Sequence, residues 1–245
     1  MTKIKKEKPS GELVYGVHPI IELLKAKKRK LLAIYTTKPE PKGFALIEKL
    51  MPRYPVQISH QQRDALAKIA GTTDHQSIVA LASPFVYRKK FFEPKSQPVL
   101  LMLDGIQDVR NLGAILRSAY CTGVNGVIIT QKHSAPIAAA TLKASAGLAE
   151  HLDIYLAPSA QAAVLQLKEA GYHLYITAFN GSNALKVKYQ EPLCIIIGSE
   201  ETGVSPSIIR EGTQITIPQR SAEISYNASV AAGIMLFIVS QRDNL

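Results

Sequence analysis

The sequence predicts two α/β units in series, the second larger and built on a parallel sheet. Three observations predict it. Short apolar runs alternate with helical stripes along the 245 residues, a rhythm of strand and helix. In the later part, runs such as Val99-Leu-Leu-Met-Leu103 and Leu193-Cys-Ile-Ile-Ile197 are continuously apolar, as in parallel strands covered on both faces. Between the two parts, residues 85–97 (FVYRKKFFEPKSQ) are basic and aromatic, carry a proline and have no period, which reads as a linker.

In order, residues 1–10 form a Lys-rich tail, and residues 11–84 hold the first unit. Residues 19–27 carry an apolar stripe that opens on Pro19, which favours the first turn of a helix. Residues 31–36 read as a strand, 44–51 as a helix and 56–58 as a short strand. Ser59 followed by Gln62 resembles a capping box for a helix that stops at Gly71, and residues 78–82 close the unit as a strand. In residues 98–245, strands are expected at 99–103, 126–130, 153–156, 173–178, 193–197 and 214–217. Helices are expected at 112–121, 137–149, 160–170, 206–211 and 229–242. A parallel sheet of this class binds ligands beyond the carboxyl ends of its strands.

The charge is uneven. Residues 1–97 contain 19 Lys and Arg against 8 Asp and Glu, a net of +11, whereas residues 98–245 contain 10 against 11. A solvated tail accounts for Lys3 to Lys8 but not for Lys38, Lys42, Lys49, Arg53, Arg63 and Lys68. A polyanion bound by this half would release counterions, so the charge points to a nucleic acid held with salt-dependent affinity. Arg88 to Lys90, interleaved with Tyr87, Phe91 and Phe92, have the composition of an RNA contact, although aromatic residues more often dock a linker on its domain.

Several chemistries find no support. The six histidines are dispersed and the two cysteines are far apart, so there is no local zinc motif. Cys121 and Cys194 read as reduced core residues, and no apolar run is long enough to span a bilayer, which together lead us to expect a cytoplasmic protein. No G-x-G-x-x-G follows a strand. Gly198 to Gly203 has P-loop glycine spacing, yet Val204-Ser205 replaces the Lys-Ser/Thr pair, and Glu200 and Glu201 would repel phosphate.

Three loops after expected strands remain. The first runs from Asp104 through Asn111, placed to cap a helix, to Gly113 and Arg117. The second is Gly198-Ser199-Glu200-Glu201-Thr202-Gly203, whose glycines permit tight turns. The third runs from Ile217-Pro218 to Ser225-Tyr226-Asn227-Ala228-Ser229 and enters an apolar helix, so that Ser225 or Asn227 is also a candidate cap.

In this order and at these distances, the loops resemble the three motifs of the SpoU (TrmH) family of RNA ribose 2′-O-methyltransferases. The matching residues are Asn111, Gly113 and Arg117; Gly198, Glu200 and Gly203; and Pro218, Ser225, Asn227, Ser229, Val230 and Ala231. Tyr15-Gly-Val-His18 and Asp74-His-Gln76 resemble the amino-terminal domain of the branch that modifies a guanosine of 23S rRNA. Glu201, Tyr226 and Ala228 depart from the residues usual at their positions. The resemblance implies a carboxy-terminal SPOUT domain with a trefoil knot, S-adenosylmethionine as methyl donor, and a homodimer whose subunits complete each other's sites. It further implies that Arg117 activates the ribose hydroxyl and that Asn111, Glu200, Ser225 and Asn227 orient the reactants. Ala178, Gly198, Gly203, Ile217 and Tyr226 would hold the cofactor. The expected substrate is a guanosine of 23S rRNA. A tRNA ribose, or a non-catalytic RNA-binding role on the same fold, stands as the alternative.

Overall fold

The computed structural model describes residues 11–220 and 225–241, and the expected basic tail 1–10 lies outside them. Backbone contacts divide the chain into two compact units, 1–86 and 87–245.

The first unit runs β1 (Glu12–Tyr15), α1 (Val17–Ala26), β2 (Leu31–Thr36), α2 (Phe44–Leu50), β3 (Gln57–His60), α3 (Arg63–Ala70) and β4 (Ile78–Ala82). Its sheet has the order β1-β4-β2-β3, with β2 and β3 parallel and β4 antiparallel to both of its neighbours. Ile20, Leu23, Ile34, Ile47 and Leu66 are buried and form the core under the sheet. The expected capping box does not form. Ser59 lies within β3, where its hydroxyl accepts from Gln61 Nε2 at 2.8 Å, and Gln62 stands at the helix N-cap without a side-chain bond. Gly71 does end α3 in the left-handed region.

The second unit contains β5 (Val99–Asp104), α4 (Val109–Cys121), β6 (Gly126–Thr130), α5 (Ala139–Ala144), β7 (Ile154–Ala157), α6 (Ala160–Glu169), β8 (His173–Asn183), β9 (Leu193–Gly198), β10 (Thr213–Thr216) and α7 (Ala228–Ser240). Its strands are all parallel, in the order β10-β8-β9-β5-β6-β7. The continuous apolar runs are the central strands, and every residue of β6 and β9 is buried. From β5 the chain winds outward through β6 and β7, then crosses to β8 on the other side. The boundary between β5 and β9 is therefore the topological switch point, where crevices open in such sheets.

Two expected helices differ. The helix expected at 137–149 ends at Ala144, because Ala146 and Gly147 take positive φ values of 54° and 86°, and a short 3₁₀ turn over Leu148–His151 follows. Residues 206–211 form consecutive turns instead of a helix (Ile208 N to Ser205 O, Glu211 N to Ile208 O). So short a segment, bounded by Pro206 and Gly212, cannot offset the cost of nucleating a helix. Cys194 is buried as expected, and desolvation raises its thiol pKa, so it is no nucleophile; Cys121 is exposed, contrary to expectation, because it falls on the outer face at the end of α4.

The stretch expected as a linker docks on the second unit from residue 87 onward. Phe92 is 3% exposed and joins the core around Leu100, Ile128 and Ile196, a burial that contributes about 2–3 kcal/mol. Arg88 bonds Asp153 at 3.1 Å and the Lys90 carbonyl at 2.8 Å, with its guanidinium over the Phe92 ring, so this cation anchors the segment to its own unit.

Candidate active site

The first loop is set by Asp108, which sequence reasoning overlooked. Its Oδ1 accepts from the backbone N–H of Arg110 at 2.6 Å and of Asn111 at 2.9 Å, so Asp108, not Asn111, caps α4. An Asp three positions before a first-turn residue is the signal that would have found it. With the cap supplied, the Asn111 side chain is available for other partners. Gly113, two residues on, lets α4 approach α5 closely: a Cβ there would fall 2.5 Å from Ala144 Cβ and 2.6 Å from the Thr141 carbonyl oxygen.

The second loop is a tight turn at the end of β9. Ser199 and Gly203 exchange backbone hydrogen bonds at 3.1 and 3.0 Å, and the hydroxyls of Ser199 and Thr202 lie 2.9 Å apart. Gly198 is obligatory here, because a Cβ would stand 2.0 Å from the Gly203 carbonyl carbon and 2.1 Å from Val204 N. The turn carries Glu200 at its exposed tip.

The third loop ends at Asn227, the N-cap of α7. Its Oδ1 accepts from Ser229 N at 2.9 Å and from the Ser229 hydroxyl at 2.6 Å. The opposite end of the same amide donates to Asn111 Oδ1 at 3.2 Å, and Asn111 Nδ2 in turn donates to Glu200 Oε1. Glu200, Asn111 and Asn227 thus form one hydrogen-bonded chain across the switch point, joining the ends of β5 and β9 to the start of α7. Asn227 is both a cap and a member of this chain.

Arg117 is not part of it. Six residues beyond Asn111, it sits about 9 Å further along the helix and about a third of a turn around it. It is exposed and makes no hydrogen bond or ion pair among the described residues. Ser225 is likewise exposed and makes no hydrogen bond among them.

The candidate cofactor residues come from the middle of β8, from the ends of β9 and β10 with the turn after β9, and from the start of α7. Ala178 lies two positions beyond Ile176 of β8, and Gly198 two beyond its register partner Ile196 of β9. Ile217 follows Thr216, which pairs with Asn183. Tyr226 is 41% exposed. Small residues at the strand ends leave room, an isoleucine and a phenol ring suit an adenine, and the nearby Glu200 carboxylate suits a sulfonium. This set fits S-adenosylmethionine. Among the described residues there is no group of three or more His, Cys, Asp and Glu side chains able to hold a metal ion. No helix among them is long and apolar enough to cross a membrane.

Comparison with known proteins agrees with this architecture. Residues 98–237 match the family described as the SpoU rRNA Methylase family, and residues 13–88 match the one described as RNA 2′-O ribose methyltransferase substrate binding. The chain is similar to the 23S rRNA (guanosine-2′-O-)-methyltransferase RlmB of Vibrio cholerae, with 31% identity over 93% of this chain and 96% of that protein. Similarity to the protein of the same name from Acinetobacter baylyi is 28% over 92% of this chain and 95% of that one. The fold is shared with an AdoMet-bound rRNA methyltransferase from Sinorhizobium meliloti, with a TM-score of 0.81 and 21% identity over 96% of this chain and 88% of that one. The matched segment 98–237 takes in more than half of the chain and contains all three loops, and on that ground the protein belongs to the SpoU rRNA methylase family.

Proposed function

We propose that this protein transfers a methyl group from S-adenosylmethionine to the ribose 2′-hydroxyl of a guanosine in 23S rRNA, in the cytoplasm. The observation that carries the reading is the chain from Glu200 through Asn111 to Asn227, which gathers polar side chains from three strand-end loops at one switch point. The cofactor, when bound, supplies an electrophilic methyl carbon. Ala178, Gly198, Gly203, Ile217 and Tyr226 hold it, while Asn111, Glu200, Ser225 and Asn227 orient the ribose. In-line displacement depends on alignment, so positioning carries much of the rate. Arg117 stabilises charge growing on the ribose oxygen, or holds an adjacent phosphate that takes the proton; a guanidinium keeps its own proton near neutral pH. Residues 11–84, with the tail 1–10, supply RNA affinity through their positive charge, residues 85–97 link the units, and residues 98–245 carry the chemistry.

Mapping 2′-O-methylation in rRNA and tRNA from a strain lacking this gene tests the proposal. One 23S rRNA guanosine should lose its methyl group and regain it when the gene is restored. Loss at a tRNA ribose instead, or at no position, would overturn it.

The same proposal includes a homodimer. Val230 and Phe237, seven residues apart on α7, lie on one helical face and are 48% and 62% exposed; Tyr120, on the neighbouring α4, is 43% exposed. A second copy would cover this apolar face and bring its Arg117 to the first copy's site. Phe237→Asp should therefore give a monomer with strongly reduced activity in light scattering and methyl-transfer assays, and a fully active dimer would exclude this face. The trefoil knot belongs with the reading too. Strand β10 is at the sheet edge, yet α7, which follows it, packs against α4 and β9, which supports this reading.

A further inference from the structure

A cavity of about 330 Å³ opens beside the Ser199–Gly203 turn, within the size range of small-ligand sites. Its walls include Asp104, Gln107, Lys132, Gln161, Ser199 and Thr202. Of the candidate cofactor residues only Gly203 borders it; Ala178, Ile217 and Tyr226 do not. It opens over β5 and β6, on the far side of the turn from β8 and β10.

Asp104, the last residue of β5, is 7% exposed. One carboxylate oxygen accepts from Ser205 N at 2.8 Å, and the other has no hydrogen-bond partner among the described residues. That free oxygen is accessible from the cavity that Asp104 lines, where it can accept from a donor outside the chain. A carboxylate at the floor repels phosphate. It suits a ligand with adjacent N–H donors, one for the free oxygen and one for the lone pair left on the oxygen that Ser205 N binds, and among the four RNA bases only guanine has two neighbouring donors, N1–H and the 2-amino group, on its Watson–Crick edge. Adenine, cytosine and uracil each place an acceptor there beside a single donor. Lys132 at the rim offers a cation to the phosphate of the same nucleotide. Unpaired RNA bases are read in this way, by their Watson–Crick edges in pockets.

We propose that this cavity receives the guanine of the nucleotide being methylated and that Asp104 is the residue that specifies it. The inference rests on the methyl-transfer reading and adds a base-reading site to it. Glu200 is next to Ser199, so a base held here lies one residue along the turn from the side chains that would position its ribose.

The test compares substrate RNAs carrying guanosine, inosine or 2-aminopurine at the mapped nucleotide. With the wild-type protein, inosine, which lacks the 2-amino group, should lower kcat/KM about tenfold or more. Loss of N1–H in 2-aminopurine should have a comparable effect. Asp104→Asn keeps an acceptor for Ser205 N but turns an amide NH₂ toward the cavity. It should abolish the preference for guanosine over inosine while leaving S-adenosylmethionine affinity unchanged. Equal methylation of guanosine and inosine by the wild-type protein overturns the proposal, as does an intact preference in a folded Asp104→Asn variant. If that variant fails to fold, the wild-type comparison decides alone. Should no RNA be methylated at all, the methyl-transfer reading falls, and the cavity is judged by ligand-observed NMR of the full chain with GMP, IMP and AMP. GMP bound about tenfold more tightly than the others supports the site, and equal binding refutes it.

Discussion

Replacing Arg117 by Ala is expected to slow methyl transfer by about 10²–10³-fold, the cost of removing one preorganised charge from a transition state. Affinity for S-adenosylmethionine should stay nearly unchanged, because Arg117 lies on α4, whereas the cofactor residues lie on β8, at the ends of β9 and β10 and just before α7. The expectation rests on what Arg117 lacks. It is exposed and has no hydrogen-bond or ion-pair partner among the described residues, so its removal breaks no structural contact there. Arg117→Lys should recover only part of the rate, since a point charge lacks the guanidinium fork. Single-turnover transfer of a tritiated methyl group, with calorimetry of cofactor binding, separates the two effects. Near-normal turnover in Arg117→Ala would remove the residue from the mechanism.

The second large effect is expected from one methyl group. Gly198→Ala places a Cβ about 2 Å from the backbone of Gly203 and Val204, and backbone yields less readily than a side chain tip. Overpacking of this kind costs about 3 kcal/mol, which lowers the Tm of a domain of this size by roughly 6–12 °C. The displaced turn would also withdraw Glu200 from Asn111, so cofactor binding and turnover should both be lost. Thermal unfolding and calorimetry on the purified variant check this, and an unchanged Tm with normal cofactor affinity would show that the turn adapts.

The two predictions differ in how far the sequence announces them. The parallel sheet was legible because strands buried on both faces must be apolar throughout, which is why the runs at β5, β6 and β9 stand out. Strand β1 was missed because four residues, of which Glu12 is exposed, carry too short a pattern to separate from a loop. The turns after Pro206 were misread as a helix because Ile208 and Ile209 mimic a stripe, although only tertiary contacts decide whether six residues coil. Asn111, Glu200 and Asn227 were singled out as polar residues in strand-end loops, but their mutual bonds span sequence separations of 89 and 116 residues, which no local pattern encodes. Asp104 stands in the sequence only as the start of the first loop, because at the end of an apolar strand a single carboxylate looks like a mere terminator.

Those long separations have a consequence for how the enzyme comes into being. The chain Glu200–Asn111–Asn227 cannot close until Asn227 has been synthesised and folded back onto a sheet begun more than a hundred residues earlier. Contacts of such high order form late, after the local structure around them. The amino-terminal unit, by contrast, closes with the pairing of β1 and β4 by residue 86, so it is synthesised whole well before Asn227. A chain that stops short of Asn227 thus carries the first unit whole but lacks this hydrogen-bonded chain.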